Sequence, residues 1–244
     1  MKRASYLIAG IMAVALIACT QAQIDQMTKT VNDMNTGGGG NKLTNEEVIQ
    51  GLKEALSVGT NNSAGMASKL DGFYKNPLIF IPFPPEAIKV KEKVEQLGMK
   101  DQVDKFVMTL NRGAEEAAKE AGPIFLNAIK SMSIGDGFAI LKGGEGAATK
   151  YLSDKTGTQL HATFKPKVQD ALKKVAITNY WHPVINTYNK IPGVQKQNPD
   201  LDEYVTIKAK EGLFKLIAIE ENKIRKDPVA RVSDILKKVF GSQY

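Results

Sequence analysis

"LTNEEVIQGLKEALSVGT", residues 43–60, contains a complete helix signal: an entry, a cap and an apolar face. Thr44 and Glu47 stand at capping-box spacing, where each side chain satisfies a backbone N–H left over at the helix start. Leu43 and Val48 are placed to pack together as a hydrophobic staple across that start. Val48, Ile49, Leu52, Ala55 and Leu56 then recur on one stripe. A stripe of this kind is stable only against others like it, and others follow.

Toward the C-terminus the pattern repeats. Ala87, Val90, Val94 and Leu97 stripe a helix starting at the Pro84-Pro85 boundary. Val103, Phe106, Val107, Leu110, Ala114, Ala117, Ala118 and Ala121 stripe a longer one, expected to stop at Gly122-Pro123. Ile124, Phe125, Ala128, Ile129 and Met132 form the next set. Ser133 and Asp136 read as the cap of a short helix ending at Gly143-Gly144. Residues 147–175 read as helical, with Pro166 forcing a kink or a restart. Asp200 with Glu203 caps a helix carrying Val205, Ala209, Leu213, Leu216 and Ile217 on one face. Asp227-Pro228 opens a last helix, with proline at its first position. The expectation is an all-α fold, a single compact bundle of about seven to nine helices over residues 43–244, without a solenoid repeat.

Two proline-punctuated connectors interrupt the helices. "YNKIPGVQKQNPD" (188–200) is loop-like and polar. "DGFYKNPLIFIPFPPEAIKV" (71–90) is the most apolar run after the N-terminal segment, yet Pro82, Pro84 and Pro85 break it. Leu78, Ile79, Phe80, Ile81 and Phe83 lie between Pro77 and Pro84 as an extended strap, and each would lose roughly 1.5–3 kcal/mol if left in water. The strap either closes the core or keeps one face open as a docking edge or lipid contact, with a membrane wedge as the third reading. Phe80 and Phe83 are the candidate contacts. Tyr180, Trp181 and Tyr188 form the aromatic cluster placed to line a pocket, or else to pack in the core.

Upstream of the domain, "MKRASYLIAGIMAVALIAC" (1–19) has two positive charges, an apolar run over 6–18, then the sole cysteine, Cys19. The run is shorter than the roughly 20 residues a bilayer span needs, and the layout is that of a secretory signal over residues 1–18. Leu16-Ile17-Ala18-Cys19 resembles the bacterial lipobox, whose cysteine is diacylated and becomes the new N-terminus. Ordinary cleavage after Ala22 is the other reading. Two acyl chains would hold the protein firmly on a membrane, and Thr20, where an aspartate would retain it at the inner membrane, points to the outer one. Residues 19–42 read as a tether: Ile24, Met27, Val31 and Met34 mark a short amphipathic helix, and "TGGGGN" breaks it. Residues 20–43 reach about 80 Å when fully stretched.

The net charge is +7; without Lys2 and Arg3 the 33 basic residues become 31 against 26 acidic, or +5. The charges are scattered, which argues against nucleic acid as partner. Basic residues at 165, 167, 173, 174, 223, 225, 226, 237 and 238 could form a weak anion-attracting surface, or simply a soluble one. Catalytic signals are thin. His161 and His182 have no histidine one helical turn away, and the cysteine is committed to the anchor, so zinc spacings, a nucleophile elbow and phosphate loops are missing. "LKGGEGAATK" (141–150) is glycine-rich ahead of a helix and could hold an anion on its N–H groups, or merely restart the helix. Asp200, Asp202 and Glu203 are explained by capping rather than calcium. Glu115-Glu116 and Glu220-Glu221 read as solvated helix faces.

Taken together, "LTNEEVIQGLKEALSVGT", "DGFYKNPLIFIPFPPEA", "YNKIPGVQKQNPDLDEYVT" and "EENKIRKDPVARVSDILKKVFG" resemble a bacterial envelope family known only as a domain of unknown function, the one numbered 4197. The resemblance runs over residues 43–241. It implies a helical domain behind a secretory or lipoprotein signal, and it brings no reaction, cofactor, metal or catalytic residue. The expectation is therefore a lipid-anchored, periplasm-facing module, at the outer membrane, that binds an envelope protein, a lipid or a cell-wall component without catalysis. The alternatives are an envelope hydrolase with His161 or His182 as base, and a lipid carrier with an apolar cavity between helices.

Overall fold

The computed structural model describes residues 44–96, 98–173 and 200–227, together with 181, 186, 189, 190, 192, 193, 196, 229, 231, 233, 234, 237 and 239. The leader, Cys19, the tether, Tyr180, His182, Tyr188 and the Pro228 helix start lie outside the described residues. Among the described residues there are seven α-helices and no strand, as the striping predicts. They are α1 (Asn45–Ser68), α2 (Ile88–Gln96), α3 (Lys100–Ala118), α4 (Ala121–Lys130), α5 (Ile134–Lys142), α6 (Ala147–Lys173) and α7 (Leu201–Lys226), with a 3-10 turn (Pro85–Ala87) ahead of α2.

Helix starts follow the polar residues that the sequence offers. α1 begins directly after Thr44. Ser133 and Asp136 form a reciprocal capping box at α5, and the Asp200 carboxylate accepts the Glu203 N–H at α7. Two boundaries differ from expectation. The break after α3 falls at Lys119-Glu120, ahead of Gly122-Pro123, which sit instead in the first turn of α4. Proline is tolerated there because a first-turn N–H has no helical acceptor to lose. α6 also runs through Pro166 without a restart. Pro166 and Ala162, whose carbonyl loses its usual donor, are both exposed, so water can take the missing hydrogen bond.

The centre of the bundle is the pair α6 and α7. On α6 the buried residues fall on every fourth position, Ala148, Leu152, Thr156, Leu160, Phe164, Val168 and Leu172. That single ridge packs against α3, α4, α5 and α7. The Thr156 hydroxyl is satisfied within the ridge, donating to the Leu152 carbonyl at 2.6 Å. α7 in turn packs on α1 and α3, with Val205, Ala209, Leu213, Leu216 and Ile217 buried. α2 packs chiefly on α3 and stands at the edge. Between α1 and α2 the chain crosses the bundle as the strap.

Candidate functional site

The strap is fastened by side chains from one face of α3. Glu115 is 4% exposed, and its Oε1 accepts the backbone N–H groups of Phe73 (3.1 Å) and Tyr74 (3.2 Å). One turn earlier, Asn111 is fully buried and makes a two-way bond with Ile81: its Oδ1 accepts the Ile81 N–H and its Nδ2 donates to the Ile81 carbonyl, both at 2.8 Å. Arg112 lies between them. It bonds Glu115 Oε2 and Asp71 Oδ1, each at 2.6 Å, and its guanidinium sits 5.4 Å from the Tyr74 ring centroid. Lys75 and then Arg112, both hydrogen-bonded to Asp71, hold that carboxyl below its ordinary value. From α7, the Tyr204 hydroxyl donates to the Pro82 carbonyl at 3.2 Å. Close approach to α7 needs Gly212, where a Cβ would lie 2.9 Å from Phe73 Cε1 and 3.0 Å from Ile79 Cβ.

The strap is not extended throughout. Residues 76–79 close a turn, with the Ile79 and Phe80 N–H groups donating to the Asn76 carbonyl. Beyond it, burial alternates: Ile79, Ile81 and Phe83 point inward, while Leu78, Phe80 and Pro82 face out. The strap therefore closes the core with one face and leaves the other uncovered. Phe83 packs on Phe106 and Trp181, with ring centroids 5.1 and 5.7 Å away, and Trp181 is buried. Phe80 is 39% exposed beside Tyr74, and Leu78 is 48% exposed at the turn. So Phe83 and Trp181 are core residues, and Phe80 is the described candidate contact that reaches the surface. An open groove of about 380 Å³ runs beside it, walled by Tyr74, Phe80, Pro82, Val103 and Val107, with Lys91 and Asp104 among its polar groups.

A second clamp fastens the start of α6. Glu221, 8% exposed, accepts the N–H groups of Ala148 (3.2 Å) and Thr149 (3.0 Å) and the Thr149 hydroxyl (2.8 Å). Arg225 donates to Glu221 at 2.9 Å and to the Ile140 carbonyl at 3.0 Å. The anion that the glycine-rich 141–150 segment can hold is thus a carboxylate of the same chain, set where the helix dipole favours it. The solvated reading of the glutamate pairs is overturned for Glu115, Glu220 and Glu221, which are buried, and holds for Glu116.

With this geometry in view, comparison with known proteins adds a family. The model described as protein of unknown function (DUF4197) matches residues 42–241. The chain belongs to the DUF4197 family. No curated protein matches it, and no solved structure does.

Elsewhere in this DUF4197 domain several charged side chains among the described residues are paired with one another. His161 Nε2 lies 3.4 Å from Glu203 Oε2, but Lys165 reaches the same oxygen at 2.9 Å and Asp200 at 3.2 Å, and all four side chains are partly exposed. The late basic residues have carboxylates at hand: Lys167 with Glu120, Lys173 with Asp170, Lys223 with Glu220, Lys226 with Glu145 and Lys237 with Asp234. Among the described residues, that pairing weakens the anion-attracting surface the sequence suggested; Lys174 and Lys238 lie outside them. Among the described residues no group of three or more histidine, cysteine and acidic side chains is placed to hold a metal.

Proposed function

We propose that this DUF4197 protein is a lipid-anchored, periplasm-facing envelope protein, at the outer membrane, whose helical domain is a non-catalytic binding or scaffold module. One observation carries the reading. Asn111 and Glu115, buried on α3, are committed to bracing the strap, while Leu78 and Phe80 stay outside on that braced frame. Preorganised apolar side chains lower the entropy lost on contact, which suits binding rather than chemistry. Cys19 supplies the anchor in this reading, and the tether gives the domain its reach.

The test is native mass spectrometry of the full protein extracted from envelopes. A bound lipid or protein mass that disappears in the Leu78→Ser/Phe80→Ser variant, with an unchanged thermal midpoint, is the expected result. An empty wild type overturns the binding reading. Mass analysis of the mature N-terminus tests the anchor separately: an unmodified terminus at Gln23 removes it. The hydrolase reading has the contact of His161 with Glu203 in its favour. It predicts that His161→Ala abolishes an envelope-directed hydrolysis, whereas the binding reading predicts no change in the captured mass.

A further inference from the structure

The strap's outward face has a specific occupant. We infer that the tip at residues 76–80 dips into the surface of a bilayer bearing anionic headgroups, so that the domain lies against the membrane in a fixed orientation. This rests on the envelope location proposed above, and it names what the exposed apolar side chains touch.

Four observations favour a lipid surface over a protein partner. First, the tip is a tight turn with Pro77 and Leu78 in its middle, and both Leu78 and Phe80 are exposed there, Phe80 at the wall of the open groove. Second, the side chains have interfacial composition. Phe80 stands beside Tyr74, an aromatic with an apolar body and a polar end, Leu78 is exposed on the same turn, and Lys69 and Lys75 are exposed on the same connector, the latter 71% so. Aliphatic, aromatic and lysine side chains together are what the headgroup region accepts, the lysine stems lying along apolar surface with their charges in water. Third, the charges on this connector match an anionic surface. Asp71 is already paired with Arg112 and Lys75, Arg112 also with Glu115, and Lys69 adds a further positive charge. Fourth, two or three side chains are far too little for a stable protein interface, which buries roughly 800 Å² a side. The same few suffice for a weak membrane contact on a molecule already confined to the membrane by its anchor.

The geometry leaves room for it. The tether joins α1 at its first residue, and the strap leaves α1 at its last, about 36 Å away along 24 helical residues. Nor does this compete with a membrane span: among the described residues no single helix is long and apolar enough to cross.

The sole cysteine makes a direct test possible. In the full lipidated protein Cys19 carries the anchor, so Leu78→Cys provides the one free thiol for an environment-sensitive fluorophore. Ile134→Cys is the control, a 50% exposed apolar residue on α5, where Gly137 packs on Ile49 near the opposite end of α1. The protein is placed in phosphatidylethanolamine vesicles containing phosphatidylglycerol, with nitroxides on the acyl chains. Label at position 78 is expected to be quenched about threefold more than label at 134, and the excess to fall when phosphatidylglycerol is omitted or in Lys69→Gln/Lys75→Gln. Equal quenching at the two positions overturns the inference. So does protection of position 78 that requires added envelope proteins, which would make the occupant a protein. Labelling of the wild type would instead show Cys19 unmodified. The anchor would then fail, and the contact would be judged by the same quenching on the Cys19→Ala background with vesicles added.

Discussion

The strap and the start of α6 are held by the same device. In each, a buried glutamate on a long helix receives two consecutive backbone N–H groups from a distant segment, and an arginine on the same helix steadies the carboxylate while its other nitrogen reaches elsewhere. Glu115 and Arg112 do this for Phe73 and Tyr74, with Asp71 as the second contact. Glu221 and Arg225 do it for Ala148 and Thr149, with the Ile140 carbonyl. What they hold differs. The second clamp secures a helix start whose following residues go into the core. The first secures a connector that sends Ile79, Ile81 and Phe83 inward and Leu78, Phe80 and Pro82 outward. The buried charges therefore hold backbone in both places. What distinguishes the strap is the apolar face left uncovered after the architecture is complete.

The equivalence of the clamps predicts equal damage. Glu115→Ala and Glu221→Ala each leave two backbone donors and a part-buried arginine without their acceptor, at about 3–5 kcal/mol apiece. Chemical denaturation of both variants checks this, and a loss under about 1 kcal/mol in either would break the parallel. Within the strap the two faces separate next. Phe83→Ser removes a ring packed on Phe106 and Trp181 and costs about 3–5 kcal/mol, whereas Phe80→Ser stays within about 0.5 kcal/mol. Similar midpoints for the two would mean that the alternation has no energetic content. Asn111→Ala sharpens the contrast, because among the described residues the α6 clamp has no second fastening of this kind. It strands the buried Ile81 N–H and carbonyl, and the expected loss is about 1–3 kcal/mol with α6 unaffected by hydrogen exchange.

The parts legible in the sequence were those written locally. Ser133 with Asp136 and Asp200 with Glu203 are three residues apart, and a cap needs nothing more distant. Proline misled because its effect depends on where it falls: Pro123 lands in a first turn, and Pro166 on a wet face. The clamps stayed hidden because their partners lie 42 and 73 residues away. One signal was present. Glu221 follows Leu213 and Ile217 at successive i+4 steps, and Asn111 and Glu115 follow Val107 in the same way, so each polar residue continues an apolar stripe. A polar side chain at such a position must be satisfied inside the fold. The inward and outward halves of the strap were not distinguishable, because residues 78–83 are apolar throughout and nothing in the sequence says which half the bundle covers.

The finest difference between the two regions is one of proton chemistry. Burial first, then the carboxylates of Glu86 and Glu211, push the Tyr204 phenol from its ordinary 10 up to about 12. Its hydroxyl is the bond from α7 to the Pro82 carbonyl. The folded state thus keeps a proton that the unfolded chain releases, so stability from this group is fully present below pH 10 and declines as pH rises toward 12. At pH 7 Tyr204→Phe should lose about 0.5–1.5 kcal/mol, the worth of one hydrogen bond. Between pH 10 and 12 the gap between wild type and variant should close and then reverse, since phenylalanine has no proton to lose, while lysine titration is common to both and cancels. Thr149→Val removes the comparable hydroxyl from the α6 clamp, and since the nearby Tyr151 phenol is common to wild type and variant, its deficit should stay level across the same window. If the Tyr204→Phe gap also stays level to pH 12, the phenol is not buried against Pro82, and the strap is held from the α3 side alone.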